Sequence, residues 1–302
     1  MSVLVVGSVA LDTVKTPFGE AGEVLGGAAV YFSMAASLFT NVNLVGVVGT
    51  DFPKEHVELL SRRSIDLTGL QKREGQTFRW SGEYTYNLNE AKTLDTKLNV
   101  FEDFRPDIPE VYRNSESVFL ANIDPELQLQ VLEQVRSPRV VACDTMNFWI
   151  SGKRGALLKL LKRIDIIILN DAEIRQLTNE PNLVKAANIL RSFGPRYVII
   201  KKGEHGVLMF TGSSFFSAPA YPLEYIFDPT GAGDTFAGGF MGYLDTCEGL
   251  AEANLRKAIV YGSVLASFNV EEFSLRRLSR VHIGEVKDRF REFERMSRFE
   301  GV

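Results

Sequence analysis

The sequence predicts an α/β fold, with a mostly parallel sheet covered by helices on both faces. Three observations lead there. Short β-branched runs recur between stretches of helical spacing, the pattern of β-α repeats joined by right-handed crossovers. The 302 residues, 45% of them hydrophobic, supply enough apolar surface for one large core. No linker rich in Pro, Gly or Ser divides the chain, so one domain over residues 1–302 is expected.

The elements follow in order. VLVV at 3–6, VNLVGVV at 42–48, VFLA at 118–121, VVAC at 140–143, IDIIIL at 164–169 and YVII at 197–200 read as buried strands. Residues 28–39, 54–63, 125–135, 155–162 and 183–193 have helical spacing and supply the crossovers. Residues 71–101 break the pattern, because TFRWSGEYTYNL alternates like a strand and is rich in aromatics. This segment is expected to form a β-lid, whose Phe78, Trp80, Tyr84 and Tyr86 could stack a base, pack a sugar's apolar face or form a dimer interface. The alternative is an antiparallel excursion packed on the core. A small hairpin is expected from 206–210 and 214–217 around Thr211, Gly212 and Ser213, and closing helices at 250–268 and 281–293.

The balance of 34 basic against 38 acidic residues, without long like-charge runs, argues against nucleic acid or an anionic membrane as partner. No apolar run reaches the length of a membrane span, and the N-terminus has no basic segment before its short apolar run, so a cytoplasmic protein is expected. Cys143 and Cys247 stand far apart in apolar contexts, which suits a reducing compartment. His56, His205 and His282 are isolated from one another and from cysteine, which leaves no basis for a zinc site or a Ser/His/Asp triad.

Chemistry concentrates in DPTGAGDTFAGGF, residues 228–240. Two glycines around one small residue let the backbone present several N–H groups at one point, and a helix-like stretch follows with Asp234 in its first turn. An anion hole beside a carboxylate suits phosphoryl transfer, with Asp234 accepting the proton of an attacking hydroxyl. A plain helix N-cap is the blander reading of the same residues. No GxxxxGK[ST] sequence occurs, so a P-loop donor site is excluded.

This stretch resembles the C-terminal signature of the ribokinase family of carbohydrate and nucleoside kinases, also called the PfkB family, and the resemblance extends along nearly the whole chain. It implies a ribokinase-like three-layer α/β/α sandwich with a small β-lid built from about 12–25 and 71–101. It also implies ATP-dependent phosphorylation of a sugar or nucleoside hydroxyl with Mg²⁺. Asp234 matches the family's base, and the backbone of Gly231, Ala232 and Gly233 its anion hole. Asp12, in GSVALD after the first strand, matches the acidic residue that binds substrate hydroxyls. That stretch lacks the three-glycine dinucleotide fingerprint. Gly26 and Gly27 match the substrate-side glycine pair. Tyr31 stands where many relatives carry an asparagine that binds sugar hydroxyls, which puts ribose in doubt as the acceptor. Only thirteen residues separate Asp12 from Gly26, so the first lid excursion is expected to be small.

Gly49-Thr50-Asp51 resembles the family's VGxD stretch, although Phe52-Pro53 departs from its usual continuation. Asn170 and Glu173 match NxxE, with Glu173 acting on Mg²⁺ through water, while the same pair also reads as a capping box. Lys201 and Gly203 match the nucleotide turn, and Asn269 an adenine-side contact. Asp228 and Thr230 match positions that bind a monovalent cation such as K⁺ in some relatives. The leading expectation is a kinase acting on a small sugar or sugar derivative, with a nucleoside kinase as its rival and a non-catalytic ligand-binding descendant further off. A homodimer through the lid is plausible on the family pattern.

Overall fold

The computed structural model describes residues 1–212 and 214–298. In chain order it begins with β1 (Ser2–Val6), β2 (Ala10–Thr16), β3 (Gly19–Gly26), α1 (Ala28–Ala36), β4 (Asn41–Gly49), α2 (Lys54–Ser61) and β5 (Ile65–Arg73). β6 (Phe78–Tyr84), β7 (Ala91–Lys97), β8 (Ser117–Leu120), α3 (Pro125–Gln134), β9 (Val140–Asp144), α4 (Asn147–Gly152) and α5 (Arg154–Leu161) follow. The chain then forms β10 (Ile166–Asn170), α6 (Asp171–Thr178), α7 (Leu183–Ser192), β11 (Tyr197–Lys201), β12 (Val207–Phe210) and β13 (Phe215–Ala218). It closes with α8 (Ala232–Asp245), α9 (Glu252–Asn269) and α10 (Ile283–Ser297).

The large sheet has the order β13-β12-β11-β10-β9-β8-β1-β4-β5. Its pairs are parallel from β11 through to β5, and β12 and β13 add an antiparallel edge. Alternation along β1 shows how the strands divide the core. Val3 and Val5 join α1, α8 and α9 on one face, while Leu4 and Val6 join α3, α5, α6 and α7 on the other. Both faces are covered, which makes the ribokinase-like three-layer sandwich. The parallel strands end together on one edge, where Asp144, Asn170 and Lys201 are the last residues of β9, β10 and β11.

A second sheet, β3-β2-β6-β7, stands beside that edge. Its strands account for the two excursions read from the sequence, with two differences. Residues 71–73 belong to β5, the outer parallel strand of the large sheet, so the excursion begins at Phe78. Asp12 lies within β2, in register with Val24 and Trp80, not in a turn. The sheet is pinned at its root by Asp51, which accepts bonds from the Thr77 amide and hydroxyl at 2.7 Å and from Arg79 Nη1 at 2.9 Å. This is the work of the Gly49-Thr50-Asp51 stretch. In the hairpin of β12 and β13, Thr211 and Gly212 are described, while Ser213 lies outside the described residues.

Candidate active site

The turn before α8 is built to hold one unusual backbone residue. Gly231, the N-cap, has φ 73° and ψ 2°, a left-handed conformation that glycine adopts without strain. Asp228 holds the approach, with Oδ1 accepting the Thr230 amide at 2.9 Å and Oδ2 the Ser274 amide at 2.8 Å. Asn269 holds the other side, its Nδ2 donating to the Thr230 carbonyl at 2.8 Å and its Oδ1 accepting from the Thr235 hydroxyl at 3.2 Å. The Ala232 amide turns back to the Pro229 carbonyl at 3.1 Å. Gly233 and Asp234 therefore supply the first-turn amides that have no intrahelical partner, at the positive end of the macrodipole.

Two expected site residues turn inward here. Asn269, expected as an adenine-side contact, is 1% exposed, and both ends of its amide bond within the turn. The oxygens of Asp228 and the Thr230 carbonyl, at the expected monovalent-cation position, accept three N–H groups between them.

Asp234 faces a charged cluster. Burial, reinforced by the negative Asp144 and opposed by Lys201, pushes its pKa up to about 7. Lys201 reaches Asp144 Oδ2 at 3.3 Å. Burial presses the lysine's pKa down, but Asp144, Glu173 and Asp234 outweigh that and leave it above its usual value. A Cβ on Gly233 would lie 2.8 Å from Lys201 Nζ, so the ammonium sits directly against the anion-receptive turn. Glu173 is also pushed up to about 7, by burial and then Asp144, against the pull of Lys201. Its Oε2 accepts the Asn170 amide at 2.7 Å, and Asn170 Oδ1 accepts the Glu173 amide at 2.8 Å. The capping box is real, and it aims the carboxylate at the cluster.

Asp144 was not among the residues singled out from the sequence. The available signal was a carboxylate at the carboxyl end of an expected parallel strand. Among the described residues, no three His, Cys, Asp or Glu side chains form a ready-made metal cage. Mg²⁺ suits such a site, because it keeps several waters and takes its remaining ligands from one or two carboxylates and substrate phosphates.

On the acceptor side, Asp12 is 4% exposed and approaches Gly26 so closely that a Cβ there would fall 1.9 Å from Oδ2. Burial raises its pKa to about 7, with Asp228 and Asp234 adding repulsion and the Gly27 amide opposing. Gly27, at φ 97°, caps α1, and Ser8 Oγ accepts the next amide, that of Ala28, at 3.0 Å. Tyr31 is 1% exposed, with its ring beneath Gly231. It does not offer a face for stacking. Tyr84, from β6, receives the Thr230 hydroxyl at 3.4 Å and so joins the small sheet to the catalytic turn. Gly203 lies at the other end, where Asn89, from the loop between β6 and β7, packs against it. The structure thus brings Asp12, Tyr31, Gly231, Asp234, Glu173 and Lys201 to one edge.

A fold that sets a helix start with free amides and a buried carboxylate against a lysine at the carboxyl end of a parallel strand suits a phosphotransferase that acts on hydroxyl groups. The chain belongs to the PfkB family of carbohydrate kinases, whose model matches residues 3–280. It is 34% identical over 247 residues to the cytidine kinase of Thermococcus kodakarensis, covering 80% of this chain and 87% of that protein. Among solved structures, the nucleoside kinase of Methanocaldococcus jannaschii superposes with a TM-score of 0.76 at 21% identity, covering 96% of this chain and 98% of that one. A ribokinase II from E. coli, in complex with ATP and Mg²⁺, gives a TM-score of 0.78 at 18% identity, covering 96% and 99%. No helix among the described residues is long and apolar enough to cross a membrane.

Proposed function

We propose that this chain is an ATP- and Mg²⁺-dependent nucleoside kinase that phosphorylates the primary hydroxyl of a ribonucleoside, with a small sugar as the secondary reading. The observation that carries the choice is the 34% identity to a cytidine kinase across 80% of the chain. This reverses the order expected from the sequence, where a sugar came first.

Asp12 and the amides of the Gly26-Gly27 turn take up the acceptor's vicinal hydroxyls, and β2 and β6 cover them as a lid. Asp234 accepts the proton of the primary hydroxyl. That oxygen forms its bond to the γ-phosphorus as the bond from phosphorus to the ADP oxygen breaks. The Gly233 and Asp234 amides and Lys201 take up the charge that grows on the phosphoryl oxygens. Glu173, with Asn170 and Asp144, would hold the hydrated Mg²⁺, which neutralises phosphate charge when bound. One edge strand of the small sheet, β7, carries Lys92, Asp95 and Lys97, charges that discourage pairing along that edge.

The test is Mg²⁺-dependent ATP consumption with cytidine, uridine, inosine, adenosine, ribose and fructose. Nucleoside turnover at least tenfold above the sugars in kcat/KM is expected. Turnover of a free sugar with silence on every nucleoside overturns the reading.

A further inference from the structure

Ser274, in the loop between α9 and α10, is bonded to both halves of the site. Its amide donates to Asp228 Oδ2 at 2.8 Å, and the other oxygen of that carboxylate accepts the Thr230 amide, one residue before the Gly231 turn. Its hydroxyl donates to the Leu25 carbonyl at 2.7 Å, one residue before the Gly26-Gly27 turn that Asp12 lies against. The buried Tyr31 phenol stands within hydrogen-bond reach of the same hydroxyl oxygen, which is able to accept it, and the Tyr31 ring lies beneath Gly231.

The backbone at Ser274 is the unusual part. Its φ is 55°, a left-handed conformation in which a Cβ is crowded and glycine fits with less strain. The residue is also 5% exposed, so its hydroxyl is not there to meet water. A serine kept in a strained, buried position where glycine fits better points to use of the side chain, and the bond that the side chain donates is the one to β3. β3 is an edge strand of the small sheet, so this bond holds the stretch leading into Gly26 from outside the sheet.

We propose that Ser274 is a positioning residue that couples the acceptor-side strand β3 to the phosphate-receptive turn. When the turn takes up phosphate, Asp228 fixes the Ser274 amide, and the Ser274 hydroxyl fixes Leu25 and with it the Gly26-Gly27 turn. By linkage, an acceptor that orders β3 favours the receptive turn to the same extent. The bridge is the same for a nucleoside and for a sugar, so its test needs no acceptor and stands apart from the choice between them.

The experiment measures hydrogen–deuterium exchange of residues 19–27 with and without saturating Mg·ADP in the full-length wild type, Ser274→Gly and Ser274→Ala, beside calorimetric titration of Mg·ADP. In the wild type the nucleotide should slow exchange there by about fivefold. In both variants that slowing should fall below about twofold, while the Mg·ADP dissociation constant stays within about threefold of wild type. Ser274→Gly relieves the backbone and should melt no lower than Ser274→Ala, which separates loss of the bridge from loss of the fold. Ser274→Gly melting below Ser274→Ala would remove the strain on which the choice of Ser274 rests. Undiminished slowing in the variants overturns the proposal, as does a wild type in which Mg·ADP leaves residues 19–27 unchanged. A loss of Mg·ADP affinity beyond about threefold in both variants would mean that Ser274 only builds the turn, and it overturns the coupling as well.

Discussion

Replacing Asp12 by asparagine should stabilise the protein while disabling it. The carboxylate is 4% exposed, and no cation is among the groups that shift it; Asp228 and Asp234 repel it. Its folded pKa of about 7 lies above the ordinary 3.8, so the folded state holds the proton more tightly than the unfolded chain does. Stability from this group is therefore complete below pH about 4 and drains away as pH rises through about 7. A rise of about three units corresponds to roughly 4 kcal/mol lost above neutrality. Asparagine does not titrate, but its NH₂ needs a partner that the site does not obviously supply, which returns about 1–3 kcal/mol. The net expectation is a gain of about 1–3 kcal/mol at pH 8, or several degrees in Tm, which turns into a loss of up to about 2 kcal/mol at pH 4.5, where the carboxylate's own penalty has fallen to about 1 kcal/mol. Catalysis should move the other way, with kcat/KM for the acceptor falling about 10²-fold or more as charge-assisted hydrogen bonds to its hydroxyls are lost. Scanning calorimetry across pH, beside initial rates, reads both effects. An Asp12→Asn protein that melts lower than wild type at pH 8 would refute the electrostatic argument, because the charge would then have to be compensated in the fold.

Asp234→Asn should lower kcat by about 10²–10⁴-fold while Mg·ADP affinity stays within a few fold, and near-normal turnover removes Asp234 from the role of base. Because burial raises this carboxylate to about 7 in the empty site, kcat/KM for Mg·ATP, which reports the free enzyme, should climb with pH to about 7 and then level; a flat profile between pH 5.5 and 8.5 contradicts the assignment. The bracing of Asp228 by the Thr230 and Ser274 amides predicts equal turnover in K⁺ and in tetramethylammonium buffers, and activation by K⁺ of fivefold or more would show that the brace opens to a cation. In Gly203→Ala, the new Cβ would fall 1.7 Å from Asn89 Oδ1 and hold the tip of the small sheet off the nucleotide turn. A higher KM for ATP with an intact fold is expected, and unchanged kinetics would mean that this contact has no part in closure.

The six β-branched runs all became strands of the large sheet, because a strand buried on both faces writes its environment into consecutive residues. β5 escaped notice for the converse reason: IDLTGLQKR, at the sheet's edge, buries only Ile65 and Gly69 and reads as polar. Asp234 and Gly231 were legible as candidates because the helix start gathers a carboxylate and a left-handed glycine turn within one short run. Asp144, 90 residues earlier, enters the site only through strand order, which places β9 next to β10 and β10 next to β11. The bonds Asn269 makes to the turn could not be read from sequence, because a polar residue near a helix end looks the same whether its amide faces a ligand or a neighbouring turn. The burial of the Tyr31 ring depends on Gly231, which lies 200 residues away.

Burial first, and then the charges at the site, explain why so many groups titrate near neutrality. Asp12, Glu173 and Asp234 are each pushed to about 7, and Lys201 is the cation that opposes the shift in the last two. Three carboxylates, Asp144, Glu173 and Asp234, stand near one ammonium, more negative charge than the empty fold neutralises. A site of that sign would repel bare triphosphate, so productive binding requires the phosphates to arrive with a divalent cation, close to the carboxylates that hold it through water. The added positive charge in turn favours ionisation of Glu173 and Asp234. On the proposed mechanism, Asp234 then loses its proton when the donor is in place and is left ready for the acceptor's. In this arrangement, Asp234 needs no permanently depressed pKa, because its ionisation is coupled to nucleotide binding by the same electrostatics that keep it protonated in the empty site.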